Sequence, residues 1–503
     1  MAFHRRGFLA AGASAFCYAA AIASQRRDSN PPNLVMLSGS EEYESDKSLR
    51  GFADLLEQHK LARVSLLRAR GVEELPGLEA LDTADGALFF TRRLEIDDEP
   101  LDRVKRYAQS GRPIVAVRTA SHGFQKWLEM DAEVLGGNYQ GHYGTNHSTQ
   151  SRFAPGAEGH PILAGVEPFG SRASLYKTLP LASDCTTLLL GRAPAGEHPT
   201  AWTREYKGAR IFTTSLGGQQ DFECASFLRM LTNALGWVMR RELSLPRLDR
   251  QPPLRESKPG AMSLALRGRS GNPENEIRLP RELPLGETAA VLCDVWDLHW
   301  CRGANERCGV LAESIEKLVD VLRDSGVQII HAPSETMGFY AGTGPRVRAQ
   351  LAPAPLERPR RRTLPSLPPL PIDDSDGGCD TDDESYHAWT RQHPAIRVEG
   401  PDAVSDSGDE IERLMRQMGI SHVLVMGVHT NMCVINRTFG IKSLVERGFQ
   451  PVLVRDLTDA MYDPKDSPRV PHSRGTELVI EHIERHLCPS VTSGEIRQSI
   501  DRV

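Results

Sequence analysis

The sequence predicts two α/β domains in tandem, each of three layers with a mainly parallel sheet between helices. Three observations predict it. Apolar runs of strand length alternate with amphipathic stretches of helix length from residue 33 to residue 241, and the alternation restarts near residue 286. Between the two blocks, residues 242–285 carry seven prolines and many charges without sustained apolar periodicity, which reads as a linker or extended wrap. Finally, 503 residues exceed one ordinary core, and size alone suggests about two to four domains.

The first block, residues 31–241, opens with NLVMLSG as a strand. SLRGFADLLEQH follows as a helix with Leu49, Phe52, Leu55 and Leu56 on one face. ARVSLL, GALFFTR and PIVAVRT are further strands, and ARIFTTSLG with the helix FLRMLTNALGWVMRR closes the unit. The second block, residues 286–490, begins with AAVLCDVWD as a strand. Its first helix shows a stripe of Leu311, Ile315, Leu318, Val319 and Leu322, and VQIIHAPS is the next strand. Residues 341–390 interrupt the pattern with LPSLPPLP and the acidic DDSDGGCDTDDE, which reads as a solvated loop because its spacing is not that of an EF-hand. AIRVEG, GDEIERLMRQMG, HVLVMGV, QPVLVRDLTD and GTELVIEHIERH complete the alternation, and 491–503 is a tail.

Composition is that of a water-exposed globular chain, with 40% hydrophobic and 25% charged residues and a net charge of −6. That balance leaves no electrostatic footprint for nucleic acid, and the basic triplet at 360–362 lies in a proline-rich stretch rather than on a basic face. At the N-terminus, Arg5 and Arg6 precede a short alanine-rich apolar run. Residues 1–30 therefore read as a twin-arginine-type export signal, cleaved after Ala23, with a periplasmic or other extracytoplasmic destination. No stable membrane span is expected after cleavage, and Cys17 lacks the small preceding residue of a lipoprotein box. Of nine cysteines, eight remain in the mature chain without a tight framework; Cys301 and Cys308 are candidates to pair.

Ligands of open parallel sheets bind beyond the carboxyl ends of the strands. Three such ends carry reactive groups: Asp294 and Asp297 in CDVWD, Arg397 and Glu399 in IRVEG, and Cys433 just past HVLVMGV. Cys433 follows the polar turn His429, Thr430 and Asn431 and starts a helix, where the helix dipole favours thiolate. A neighbouring carboxylate would take and return the proton. The competing reading is a buried, inert thiol.

CDVWDLHW, IIHAPS and MGVHTNMCVINRTFG resemble the isochorismatase-like cysteine hydrolases, the superfamily that includes nicotinamidases. The resemblance implies a parallel sheet between helix layers, Cys433 as nucleophile and Asp294 as the proton-handling acid. It also implies a cis peptide at Val428-His429 that turns main-chain N–H groups toward an oxyanion. The family's lysine is missing: no lysine lies between Lys317 and Lys442, and the matching place holds Val398 or, better, Glu399. A carboxylate there would raise the Cys433 pKa, and Arg397 on the same strand face would restore positive charge without shuttling protons. Trp296, His299 and Trp300 are expected either to wall the pocket or simply to pack. Asp297 and His299 form a D-x-H pair, but no third ligand follows, so neither a metal nor another cofactor is expected.

SGSEEYESDKSL, FFTRRLEIDDE, GRPIVAVRTASHGF and HPTAWTREYKGARIFTTSLGG resemble the ThuA-like proteins, relatives of class I glutamine amidotransferase domains. In those relatives the strand matching PIVAVRT ends in a nucleophilic cysteine; here Arg118-Thr119 stands there, followed by Ser121 and His122. Glutaminase chemistry through a thiol is excluded at that position. Glu42, Arg92, Arg118 and His122 are expected either to line a polar pocket, with a carbohydrate-related ligand implied by the resemblance, or to pair with one another in a scaffold. The expectation for the whole chain is an exported cysteine hydrolase that cleaves a C–N bond of a small amide, with an accessory first domain. The rival is a non-catalytic two-domain binding protein. Homo-oligomer formation stays open.

Overall fold

The computed structural model describes residues 30–145, 147–271, 275–355 and 361–502. Arg5, Arg6, Cys17 and the rest of the export segment up to residue 29, together with Arg360 of the basic triplet, lie outside the described residues.

In the N-terminal half the strands are β1 (Asn33–Gly39), β2 (Arg63–Arg68), β3 (Gly86–Thr91), β4 (Ile114–Val117), β5 (Thr149–Phe153), β6 (Gly170–Ser171), β7 (Thr186–Ala193), β8 (Gly196–Tyr206) and β9 (Ala209–Thr214). They form one sheet in the order β2-β1-β3-β4-β9-β8-β7-β5-β6. It is parallel from β2 to β9 and antiparallel beyond. The helices are α1 (Ser45–Gln58), α2 (Asp98–Gln109) and α3 (Ala225–Met239). Successive side chains of a strand point to opposite faces, and this sorts the core into two layers. Leu34 and Met36 of β1 pack with Leu49 and Phe52 of α1 and Phe227 of α3. Val35 and Leu37 pack with Leu101 and Val104 of α2. A strand covered on both faces has to be apolar throughout, which is why β3 reads GALFFT.

The C-terminal half contains β10 (Ala261–Arg269), β11 (Glu276–Pro284), β12 (Thr288–Cys293), β13 (Gln328–Ala332), β14 (Ala403–Val404), β15 (His422–Val428), β16 (Gln450–Asp459) and β17 (Ser490–Val491). The order is β11-β10-β17-β16-β15-β12-β13-β14. All neighbours from β17 to β14 are parallel, and β10 and β11 are antiparallel. The helices are α4 (Arg302–Asp324), α5 (Met337–Tyr340), α6 (Gly344–Gln350), α7 (Gly408–Gln417), α8 (Cys433–Asn436), α9 (Ile441–Glu446), α10 (His472–His486) and α11 (Ser493–Ile500). Val291, Val423 and Val425 face α7, α9 and α10 through Ile411, Leu414, Leu444 and Val479. Leu292, Leu424 and Met426 face α4 through Ile315, Leu318 and Leu322. No helix among the described residues is long and apolar enough to cross a membrane.

Three expectations are corrected here. The stretch read as a linker builds the hairpin β10–β11, with Met262, Leu264 and Leu266 buried in strict alternation. Its prolines misled because Pro280 and Pro284 sit in β11, the sheet's edge strand, where a missing N–H costs no ladder bond. The tail folds too, as α11 behind a capping box between Thr492 and Glu495. The two halves are not joined by a free linker but share a core. Phe339 and Tyr340 of α5 pack into the apolar layer of α1 and α3, and a Cβ on Gly338 would come within 2.0 Å of the Pro168 carbonyl.

Candidate active site

β12 and β15 are hydrogen-bonded neighbours, with Cys293 opposite Gly427, so the residues that follow them emerge side by side. Gly427 takes a φ of 114° and lies so close to β12 that a Cβ there would meet the Cys293 carbonyl oxygen at 2.0 Å. Past these ends the Val428-His429 bond is cis. Asn431 ties the turn down: its amide donates to Asp374 (2.7 Å) and to the Met461 carbonyl (3.0 Å), and it accepts from the Met461 N–H (2.8 Å). Cys433 then opens α8.

Asp294 is fully buried, with a left-handed φ of 48°. One carboxylate oxygen accepts the Ser334 N–H (2.7 Å) and the other the Arg437 Nε–H (2.8 Å). The Cys433 sulfur lies beside the same carboxylate, near enough for each group to shift the other's titration, and the main-chain N–H of His429 faces the sulfur. Burial raises the Asp294 carboxyl above its usual range, against the pull of Arg437 and Ser334. Burial and the Asp294 charge push the Cys433 thiol up to about 12, with Arg437 opposing. The expected resting thiolate is therefore corrected. α8 is only four residues long, too short for a sizeable dipole, and the site rests as a thiol beside a buried carboxyl.

Arg437 is the residue that sequence reasoning missed. It stands four residues after Cys433, one turn on, at the end of α8, and supplies the positive charge sought elsewhere. Glu399 and Arg397 are corrected. Arg397 is exposed and pairs with Glu316 (2.6 Å) and Asp320 on the outside of α4, and with Glu399 (3.3 Å). Glu399 also pairs with Arg323 (3.7 Å) and lines a separate cavity of about 580 Å³ with Arg255 and Arg348. The strand that was to aim these residues inward is the two-residue β14, and they precede it.

Trp296 is buried, donates to the Ser334 carbonyl (3.1 Å) and stacks on Trp389 with centroids 4.1 Å apart. His299 lies 4.9 Å from the His429 ring and 6.1 Å from Trp389. Burial lowers His299 to about 3 and His429 to about 4, so both rings are neutral. Glu335 bridges Arg437 and His387, each at 3.8 Å, and His387 lies 4.6 Å from Trp389. An aromatic wall thus runs from Arg437 round to His429. Asp297 does not join His299 as a ligand pair: its carboxylate accepts Thr390 N–H (2.8 Å), Thr390 Oγ1–H (2.6 Å) and Arg391 N–H (3.2 Å).

Cys301 is bonded to Cys379 rather than to Cys308, with Cα atoms 5.7 Å apart, and Cys308 is a free, buried thiol. The acidic loop is therefore fastened beside the site by a disulfide and by Asp374, not loosely solvated. Among the described residues the one grouping with metal-ligand spacing is Cys301, Cys379 and Asp383, and its two sulfurs are already spent on each other.

Residues 34–238 match the family model described as trehalose utilisation (ThuA), and residues 288–467 match the isochorismatase domain model. The chain joins a ThuA domain to an isochorismatase domain. A ThuA-like protein from Parabacteroides merdae is similar at 15% identity over 44% of this chain and 95% of its own, with a TM-score of 0.36. A cysteine hydrolase from Pseudomonas syringae is similar at 17% identity over 48% and 99%, with a TM-score of 0.28. An isochorismatase family protein from Burkholderia thailandensis is similar at 15% over 43% and 96%, with a TM-score of 0.26. No curated protein matches the chain. The isochorismatase domain supports a hydrolase-type function.

In the ThuA domain the four expected pocket residues do not converge. Arg118, at the end of β4, is 2% exposed and has a φ of 45°. Its guanidinium donates to the Ser215 carbonyl (2.6 Å), Ser174 Oγ (3.0 Å) and Tyr43 Oη (3.2 Å), between the rings of Tyr43 (4.7 Å) and Tyr176 (4.2 Å). It fills the thiol's place as an anchor for three loops. His122 stacks on Tyr139 (4.4 Å) and, with Arg93 and Asp131, lines a cavity of about 380 Å³. Glu42 and Arg92 pair at 2.7 Å and line another, of about 790 Å³. Asp131, unread in the sequence, is raised to about 6 by burial.

Proposed function

We propose that the isochorismatase domain is a cysteine hydrolase that cleaves a C–N bond of a small amide through a Cys433 thioester. The observation that carries this reading is the meeting of Cys433, past the end of β15, with a fully buried Asp294 at the end of adjacent β12, paired by Arg437 at 2.8 Å. As the sulfur bonds to the carbonyl carbon, Asp294 takes the thiol proton; the oxyanion faces the His429 N–H and the Cys433 N–H, which as the first of a helix has no intrahelical acceptor. Collapse breaks the C–N bond, and Asp294 returns its proton to the leaving nitrogen. Water then adds to the thioester, giving a proton to Asp294; the acid leaves, and the sulfur recovers that proton. A carboxyl raised by burial suits this role because it is a stronger base toward the thiol proton than a free carboxylate, yet stays acidic enough to protonate the leaving nitrogen. Arg437 carries charge but moves no proton.

We further propose that the chain is exported through its twin-arginine segment; the Cys301–Cys379 disulfide supports an oxidising destination. Arg118, committed to its anchoring bonds where the relatives carry a thiol, favours an accessory role for the ThuA domain over thiol catalysis there.

The test is direct. A panel of small primary amides is incubated with the protein, ammonia release is followed, and intact-mass spectrometry looks for an acyl adduct on Cys433 that disappears in Cys433→Ala. Ammonia release that survives Cys433→Ala would overturn the mechanism.

A further inference from the structure

The ring cluster that runs from His429 to the Arg437 ion pair beside Cys433 is completed by a segment with no regular structure of its own, residues 384–393. Trp389 and His387 face the site from it, yet what holds their main chain belongs largely to the ThuA domain. Gln150 of β5 donates its side-chain amide to the Trp389 carbonyl (3.0 Å) and reaches the His387 carbonyl at 3.5 Å. Ser148, buried beside it, donates its hydroxyl to the same His387 carbonyl (3.2 Å). Arg391 forms an ion pair with Glu223 and lies 4.5 Å above the Phe339 ring. Gly170 of β6 leaves no space for a side chain, since a Cβ would lie 2.9 Å from Thr390 Cγ2 and 3.0 Å from its Cα. On the other side the Asp297 carboxylate fastens Thr390 and Arg391 to the end of β12.

Two carbonyls separated by one residue and bound to one amide fix both the pitch and the rotation of that stretch. Rings at alternate positions are thereby aimed the same way, and the Trp389 ring can stack flat on Trp296. We propose that Gln150 is a positioning residue: through the His387 and Trp389 carbonyls the ThuA domain sets the wall that decides which acyl groups reach Cys433. This rests on the reading of Cys433 as the pocket nucleophile. The ThuA domain then serves the neighbouring reaction without touching the substrate, as the second half of a specificity wall.

The experiment compares two alkylating probes on the full chain, iodoacetamide, which is small, and iodoacetanilide, which carries a ring against the wall. Gln150→Glu keeps the shape but replaces the N–H donors by a carboxylate facing two carbonyls; Ser148→Ala removes one hydroxyl only. Cys433 labelling by iodoacetamide should be unchanged, which also reports an intact fold. The anilide-to-acetamide rate ratio should shift by about two- to tenfold in Gln150→Glu, the span of one aromatic contact, and less in Ser148→Ala. Selective labelling of Cys433 with an unmoved ratio in both variants would overturn the inference alone. Failure of the wild-type protein to label at Cys433 would overturn the nucleophile reading, and the inference with it.

Discussion

Arg437→Met isolates the electrostatics of the site. The guanidinium sits 2.8 Å from a carboxylate that is fully buried, and removing one partner of such a pair costs about 3–5 kcal/mol when the other must stay charged. Asp294 can escape by taking a proton, and the sign follows from where its pKa lies. Its folded value is already raised by burial, so its contribution favours the fold below the unfolded carboxyl value and is lost as pH rises through the folded one. Without Arg437 the folded value climbs further. Compared at about pH 5 and about pH 8, the stability deficit against wild type should grow with pH, toward about 3–5 kcal/mol where Asp294 must be charged. A protonated Asp294 cannot take the thiol proton, so amide turnover near neutrality should fall by about 10²–10⁴. Urea titrations at the two pH values, with turnover measured in parallel, read both effects. A deficit that does not change with pH would refute the assignment of Arg437 as the counter-charge of Asp294.

Three other perturbations probe the frame around the site. Cys301→Ser opens a disulfide that spans 78 residues of sequence; chain entropy puts its worth at about 4.5 kcal/mol, and the melting temperature of the wild type should fall to that of the variant on adding reductant. Asp402→Ala strips the buried carboxylate on which Arg255 (3.0 Å), Arg323 (2.9 Å) and His331 (3.1 Å) converge, with an expected loss of about 3–5 kcal/mol in denaturant unfolding. In the wild type the Asp402 carboxyl is held below its usual value, burial being outweighed by His331 and Arg323. Its contribution is thus present above the unfolded carboxyl value and fades only as pH falls through the depressed one, so acid unfolding of Asp402→Ala should start less steeply. Gly427→Ala should cost at least about 1–3 kcal/mol for its backbone conformation alone, more with the contact against Cys293, and circular dichroism on heating will show it.

Periodicity made the two sheets legible, because strands such as GALFFT and HVLVMGV are buried on both faces and have to be apolar along their length. The meeting of Asp294 with Cys433 was readable from topology, since adjacent parallel strands bring their carboxyl ends together. Arg437 was not legible because the family's lysine belongs to a distant strand, whereas the cation here stands one helical turn from the nucleophile. The partner of Cys301 could not be read at all: Cys379 lies in an irregular loop whose path no pattern encodes. In β10–β11 the alternation was present, and proline content wrongly outweighed it.

The insertion of Phe339 and Tyr340 into the N-terminal half bears on how the chain is made. When the ribosome has released α3, that half still has an unfilled greasy socket, and its plug lies about a hundred residues further along the message. Until the plug emerges the nascent polypeptide offers a sticky surface to chaperones. A gene cut between the two halves would leave that socket open for good.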